Sequence, residues 1–175
     1  ISTSPASAGD RDVPPPTAAF GRFVTTQHVD WGDPESVVEY QVGYARLLAG
    51  GRRPFDEEAM QDLVRGDVAR ARDVAALQNH DLLQEGVPCT DRLSSITAAT
   101  LVIHGAADPM FPPAHGEALA REIPGARLLV LPEAGHGVDR ADAEVIARAI
   151  LEHTTPAAGR PPAGSTRIPA PPSPD

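Results

Sequence analysis

The sequence predicts an α/β protein, and three observations predict it. Two short apolar runs, residues 100–104 and 127–131, are continuous and rich in branched residues, as strands buried in a parallel sheet must be. Each run ends in a loop that carries chemistry: "GAADPMFPP" holds Asp108 and "PEAGHG" holds His136. Ahead of them, residues 31–86 show helical spacing with no strand between. The expected organisation is a strand exit and proline-rich loop over 1–17, a helical cap over 18–92, an α/β core segment over 93–154 and a disordered tail over 155–175.

Residues 1–17, "ISTSPASAGDRDVPPPT", are small, polar and proline-rich and read as a loop, with the end of a strand at Ile1. Residues 18–33 fit no single pattern and contain Phe20, Phe23 and Trp31. The first clear helix begins at Asp33, a good N-cap, followed by Pro34 at the first helical position and Glu35 at the positive end of the dipole. Val37, Val38, Gln41, Tyr44, Ala45 and Leu48 share one face, and Gly50 and Gly51 stop it. A second helix is expected from Asp56 through Met60, Leu63 and Val64 toward Gly66. A third is expected over about Val68 to Leu83, with Val74, Leu77 and His80 or Asp81 along it, ending at Gly86.

After "GVPCTDRLSSITA" the period changes. Thr100 to His104 is the first strand, Pro113 to Glu122 a helix with Leu119 and Ile123 inward, and Arg127 to Leu131 the second strand. Asp139 is expected to cap a last helix whose apolar stripe is Val145, Ile146, Ala149 and Ile150. This β-α-β-α order implies a parallel unit with right-handed crossovers. The segment "TTPAAGRPPAGSTRIPAPPSPD" has almost nothing to bury.

Composition narrows the function. A formal net charge of −9 argues against a nucleic-acid or anionic-membrane partner. All 15 basic residues are arginine, a mark of GC-rich coding rather than of binding. Cys89 is the only cysteine, which leaves no intrachain disulfide and no cysteine metal site. The six histidines lack metal-ligand spacing such as H-E-x-x-H, so neither metal nor other cofactor is expected. No apolar run has the length of a membrane span and no signal peptide is seen, so a cytoplasmic location is expected.

Asp108 lies just past one strand, and His136 just past the other. In open parallel sheets, ligands bind at the carboxyl ends of strands. Neighbouring strands lie about 4.8 Å apart, which brings the two loops within about 10 Å. A carboxylate there can accept the imidazole Nδ1 hydrogen, fix the tautomer and steady the imidazolium formed when Nε2 takes a proton. Each residue alone has a bland reading: an Asp-Pro turn, and a polar loop histidine. Of the others, His28 and His153 are expected at the surface, His104 at the strand end, and His115 in a first helical turn.

The stretch "TLVIHGAADPMFPPAHGEALAREIPGARLLVLPEAGHG", with the helix after it, resembles the C-terminal part of an α/β-hydrolase. It is most similar to the esterases related to aclacinomycin methylesterase, whose matching segments carry an "HDP…P…HG" pattern and a "GMGH" loop. The resemblance implies Asp108 as triad acid, His136 as triad base, and residues from about 18 to 90 as a cap inserted after the sixth core strand. It also implies that the third cap helix lines the substrate pocket. His80, Tyr44 and Met110 are the expected substrate contacts. The aromatics Trp31, Tyr40, Tyr44 and Phe55 either shape a pocket for a bulky apolar ester or form the cap's own core.

The departure is the nucleophile. The family places it in Gly-x-Ser-x-Gly between a strand and a helix, and no such motif occurs in these 175 residues. Ser4 is followed by Pro5, which has no N–H for an oxyanion hole. Ser2 and Ser7 lie in the proline-rich stretch, Ser36 in a helix first turn, and Ser94, Ser95 and Cys89 in a linker. The sequence therefore reads as the C-terminal part of a longer carboxylic-ester hydrolase, itself inactive without the serine. Two other readings stay open: a haloalkane or epoxide hydrolase with an upstream aspartate nucleophile, and a non-catalytic binding module left from a truncated hydrolase.

Overall fold

The computed structural model describes residues 13–82 and 90–155, apart from the side chains of residues 78, 80–82, 90 and 91. The expected strand exit at Ile1, Gly86, Cys89 and the proline-rich tail lie outside the described residues.

The ambiguous stretch after residue 17 is a helix, α1, Ala18–Thr26, whose first turn is capped by the Thr17 hydroxyl accepting from Phe20 N–H. α2, Pro34–Leu48, starts as the sequence predicts: the Asp33 side chain accepts from Glu35 N–H, with Pro34 in the first turn. It buries Val37, Val38 and Val42. α3, Glu57–Arg70, is capped by Asp56, which accepts from Ala59 N–H.

Two expectations for the cap are corrected. α3 does not stop near Gly66 but runs through it to Arg70, and so takes in Val68. One glycine inside a helix costs only about 1 kcal/mol, and packing of α3 on α2 outweighs that. Val38, Val42 and Val64 form this interface, with Phe55, Met60 and Val68 against them. The third α-helix expected from Val68 to Leu83 does not form. Ala71 turns extended, and Asp73 accepts from Ala75 N–H, which opens a separate 3-10 turn, Val74–Leu82. An aspartate side chain that satisfies the backbone locally competes with helix continuation.

A second 3-10 turn, Thr90–Ser95, leads into the core. β1, Leu101–Gly105, pairs in parallel with β2, Arg127–Leu131, in the register Leu101 to Arg127 through Gly105 to Leu131. Between them runs α4, Ala114–Glu122. Asp139 does act as a cap, but of a short 3-10 turn, Arg140–Asp142, that feeds α5, Ala143–Thr154. The expected buried stripe of α5 is only half covered. Val145, Ile146 and Ala149 are partly buried, while Ile150 is 44% exposed. A two-stranded sheet offers too little face to cover a whole helix stripe. Among the described residues, no helix is long and apolar enough to cross a membrane.

Cap and core meet where α2 ends. Gly50 has φ +77°, and a side chain there would overlap the Ala107 carbonyl oxygen. Two penalties, left-handed backbone and backbone overlap, therefore fall on one residue. Gly50→Ala is expected to lower stability by about 1–3 kcal/mol, read as a shifted midpoint in urea unfolding at unchanged slope.

Candidate active site

β1 delivers Asp108 and β2 delivers His136, each within a few residues of the strand's carboxyl end. The two β-strand ends are drawn together by backbone bonds. Ala106 N–H donates to Leu131 C=O, and Ala107 N–H donates to Ala134 C=O. Gly105 lies flat against the histidine loop, where a Cβ would overlap the carbonyl oxygens of Ala134 and Gly135. Gly135 in turn lies against Leu48 and Ala49 at the end of α2. Glycine at these positions is a condition of close approach.

Asp108 is 5% exposed. Its Oδ1 accepts from Met110 N–H at 2.9 Å and from Phe111 N–H at 2.8 Å. Its Oδ2 lies 2.9 Å from His136 Nδ1. A carboxylate can only accept, so Nδ1 carries the hydrogen and Nε2 is the basic nitrogen. Burial pushes the Asp108 carboxyl up. The hydrogen bonds from His136, Phe111 and Met110, with the charge of His136, outweigh it and leave the group below the ordinary value of 3.8.

The His136 backbone N–H donates to Leu48 C=O at 2.8 Å, so the cap holds the histidine loop directly. The imidazole packs on the Phe111 ring, with centroids 5.5 Å apart. No partner for Nε2 occurs among the described residues. His136 lines a cleft of about 500 Å³ between cap and core. Its apolar walls include Ala45 and Leu48 from α2, Phe55, and Met60 and Leu63 from α3.

Of the other candidates, Tyr44 and Met110 are not among the residues of this cleft. Tyr44 packs among Phe20, Phe23 and Tyr40, within 6.2 Å of each, and is not among the cleft residues. Trp31 joins the same cluster through Tyr40. Met110 is partly buried, is not a cleft residue, and holds Asp108 through its backbone. The backbone of His80 lies in the Val74–Leu82 turn, and its side chain lies outside the described residues.

Two buried histidines support the loop. His104 Nε2 donates to Phe111 C=O at 2.8 Å, the same residue whose N–H holds Asp108. His115 Nε2 donates to Pro14 C=O at 2.8 Å. Arg53, which no sequence signal marks, reaches from the cap into the core. Its guanidinium forms a fork with Asp142, at 2.6 and 2.8 Å. The Arg53 hydrogen bond holds the Asp142 carboxyl below its ordinary value, and Arg53 is raised above its own, chiefly by that same bond.

A helical cap over a parallel sheet whose two loops present a paired aspartate and histidine defines the class: the chain has a partial α/β-hydrolase fold. Solved structures match on that basis. The esterase from Exiguobacterium antarcticum aligns at TM-score 0.51 and 22% identity, covering 78% of this chain and 46% of that one. The meta-cleavage product hydrolase of Pseudomonas fluorescens aligns at TM-score 0.56 and 18% identity, covering 86% and 53%.

Within that class the chain resembles methylesterases. Residues 79–161 match the family model described as TAP-like protein. The chain is 32% identical over 144 residues to rhodomycin D methylesterase DauP of a Streptomyces species. It is 31% identical over 144 residues to rhodomycin D methylesterase DnrP of Streptomyces peucetius. Each alignment covers 81% of this chain and 48% of the relative. The chain thus spans about half the length of the curated relatives it matches.

The Asp108 pairing has a consequence for acid stability. Its folded value lies below the unfolded one near 3.8, so its carboxylate contributes stability that is fully present above the unfolded value. That contribution is lost as pH falls through the depressed folded value. In thermal melts taken downward from pH 7, the wild type is expected to exceed Asp108→Asn by a margin that shrinks below about pH 4. A margin independent of pH would count against the pairing.

Proposed function

We propose that this chain carries the acid and the base of a carboxylic-ester hydrolase, with Asp108 and His136 completing a Ser-His-Asp triad. The serine is assigned to sequence outside these 175 residues. One observation carries the reading: Asp108 Oδ2 holds His136 Nδ1 at 2.9 Å, while Nε2 is without a partner among the described residues.

The chemistry follows from that arrangement. Nε2 takes the proton of the attacking serine hydroxyl, and the new positive charge is steadied by the buried carboxylate on the far side of the ring. The tetrahedral intermediate collapses as His136 returns the proton to the leaving alcohol. Water then repeats the sequence on the acyl-enzyme. Every step is a proton transfer or an acyl transfer, so the reaction calls for no metal or organic cofactor.

The substrate is proposed to be an apolar ester. The cleft beside His136 supports this, since its walls include Ala45, Leu48, Phe55, Met60 and Leu63, with Arg53, Asp56, Glu133 and Asp139 among its polar residues. The relatives named as methylesterases support a small leaving alcohol. The aromatic cluster of Tyr40 and Tyr44 is assigned to the cap's own core, because each packs on Phe23.

The test is to read the coding sequence upstream of Ile1 and to express both forms. Residues 1–175 alone are expected to leave nitrophenyl esters intact. A longer chain containing Gly-x-Ser-x-Gly is expected to hydrolyse them, and Asp108→Asn or His136→Ala in it to lower kcat on the order of 10⁴-fold. Turnover by the short chain that disappears in His136→Ala would place the nucleophile within these residues. A longer chain with an intact elbow and no turnover would overturn the esterase reading.

A further inference from the structure

The segment from Glu133 to Asp142 carries His136 near its middle. It leaves β2 at one end and enters α5 at the other. A loop of this kind, with glycine on both sides of the functional residue, has little stiffness of its own. Something outside it must fix the imidazole.

Arg53, in the loop between α2 and α3, touches both ends of that segment. Its two terminal nitrogens grip Asp142, which is 4% exposed, at 2.6 and 2.8 Å. Its Nε lies 3.5 Å from Glu133 Oε2, at the other end. Asp139 Oδ1 stands 3.9 Å from the same guanidinium. The neighbouring Arg52 donates to the Pro132 carbonyl, just before the segment begins. The middle is tied by His136 N–H to Leu48 C=O, at the end of α2, the helix that precedes the Arg53 loop. With all three nitrogens of Arg53 facing carboxylates, the guanidinium is committed to protein groups although it borders the cleft.

We propose that Arg53 is a positioning residue for His136: it clamps the two ends of the histidine loop to the cap and so keeps Nδ1 in register with Asp108. The proposal rests on the reading of His136 as the general base, but its test does not require hydrolysis. Lysine cannot replace arginine here. A single ammonium cannot make the planar fork to Asp142 and reach Glu133 as well.

The experiment is nuclear magnetic resonance on the 175-residue chain, wild type and Arg53→Lys. Two signals are read: exchange of the His136 backbone amide, and the imidazole Nδ1–H resonance that reports its bond to Asp108. The Ile123 amide, bonded to Leu119 C=O at the end of α4, is the internal control. Arg53→Lys is expected to speed His136 exchange about tenfold and weaken the Nδ1–H signal, with Ile123 unchanged. Unchanged His136 signals would overturn the proposal. So would equal acceleration at His136 and Ile123, since that is loosening of the whole fold. If Arg53→Lys does not fold, Asp142→Asn, which removes the charge opposite the fork, is read by the same three signals. Failure of the esterase reading shows instead as absent turnover in the longer chain with these signals intact.

Discussion

Asp108 is an ionised carboxylate placed where water scarcely reaches, and such a group is tolerated only while hydrogen bonds replace its hydration. Three donors do so: the N–H groups of Met110 and Phe111 and the Nδ1–H of His136. The first two come free with the Asp-Pro turn, in which a side-chain oxygen accepts from the backbone two and three residues on. The third must be brought from the neighbouring strand. That requirement explains the glycines. Gly105 and Gly135 let the two loops approach until backbone meets backbone, Gly135 also admits the end of α2, and Gly50 admits the Ala107 carbonyl of the aspartate loop.

The segment ahead of β1 therefore helps to hold Asp108 and His136 in place. Leu48 C=O at the end of α2 accepts from the backbone of His136, and in the stretch before α1 Thr17 N–H donates to Pro109 C=O beside Asp108 while Pro14 C=O accepts from His115. These bonds join residues far apart in the chain across a sheet that has two strands among the described residues. A two-stranded sheet is marginal by itself. In this chain the geometry of the aspartate and histidine is held as much by what the cap supplies as by the strand pairing.

What could be read from the sequence follows the range of the interactions. Local signals were enough for α2, where Asp33, Pro34 and Glu35 specify a start, and for β2, a continuous apolar run with a turn on each side. Asp108 and His136 were legible because parallel pairing turns a sequence pattern into proximity at one sheet edge. Where a local contest decided, reading was harder. Asp73 stops a helix that apolar spacing alone extends, and Thr17 starts one after a proline run. Tyr44 sits on the face that spacing assigns, yet which neighbour that face meets depends on α1. Arg53 was beyond reach, since its partner Asp142 is 89 residues away and nothing in "GRRPF" points to it.

The same residues that fix the histidine also wall the cleft. Leu48 accepts from the His136 backbone N–H and lines the cavity, and Arg53 and Glu133, bonded to each other, line it too. Cleft shape and the position of the histidine loop are thus coupled through shared residues. Met60 and Leu63 line the cleft but make none of the bonds to the histidine loop. A change at Ala49, which lines the cleft, or at Gly50 beside it is expected to move the end of α2, and with it the carbonyl on which His136 rests. Variation in α3 can therefore reshape the cleft at little expense to the Asp108–His136 pair, whereas variation at the end of α2 alters the cleft and the pair together.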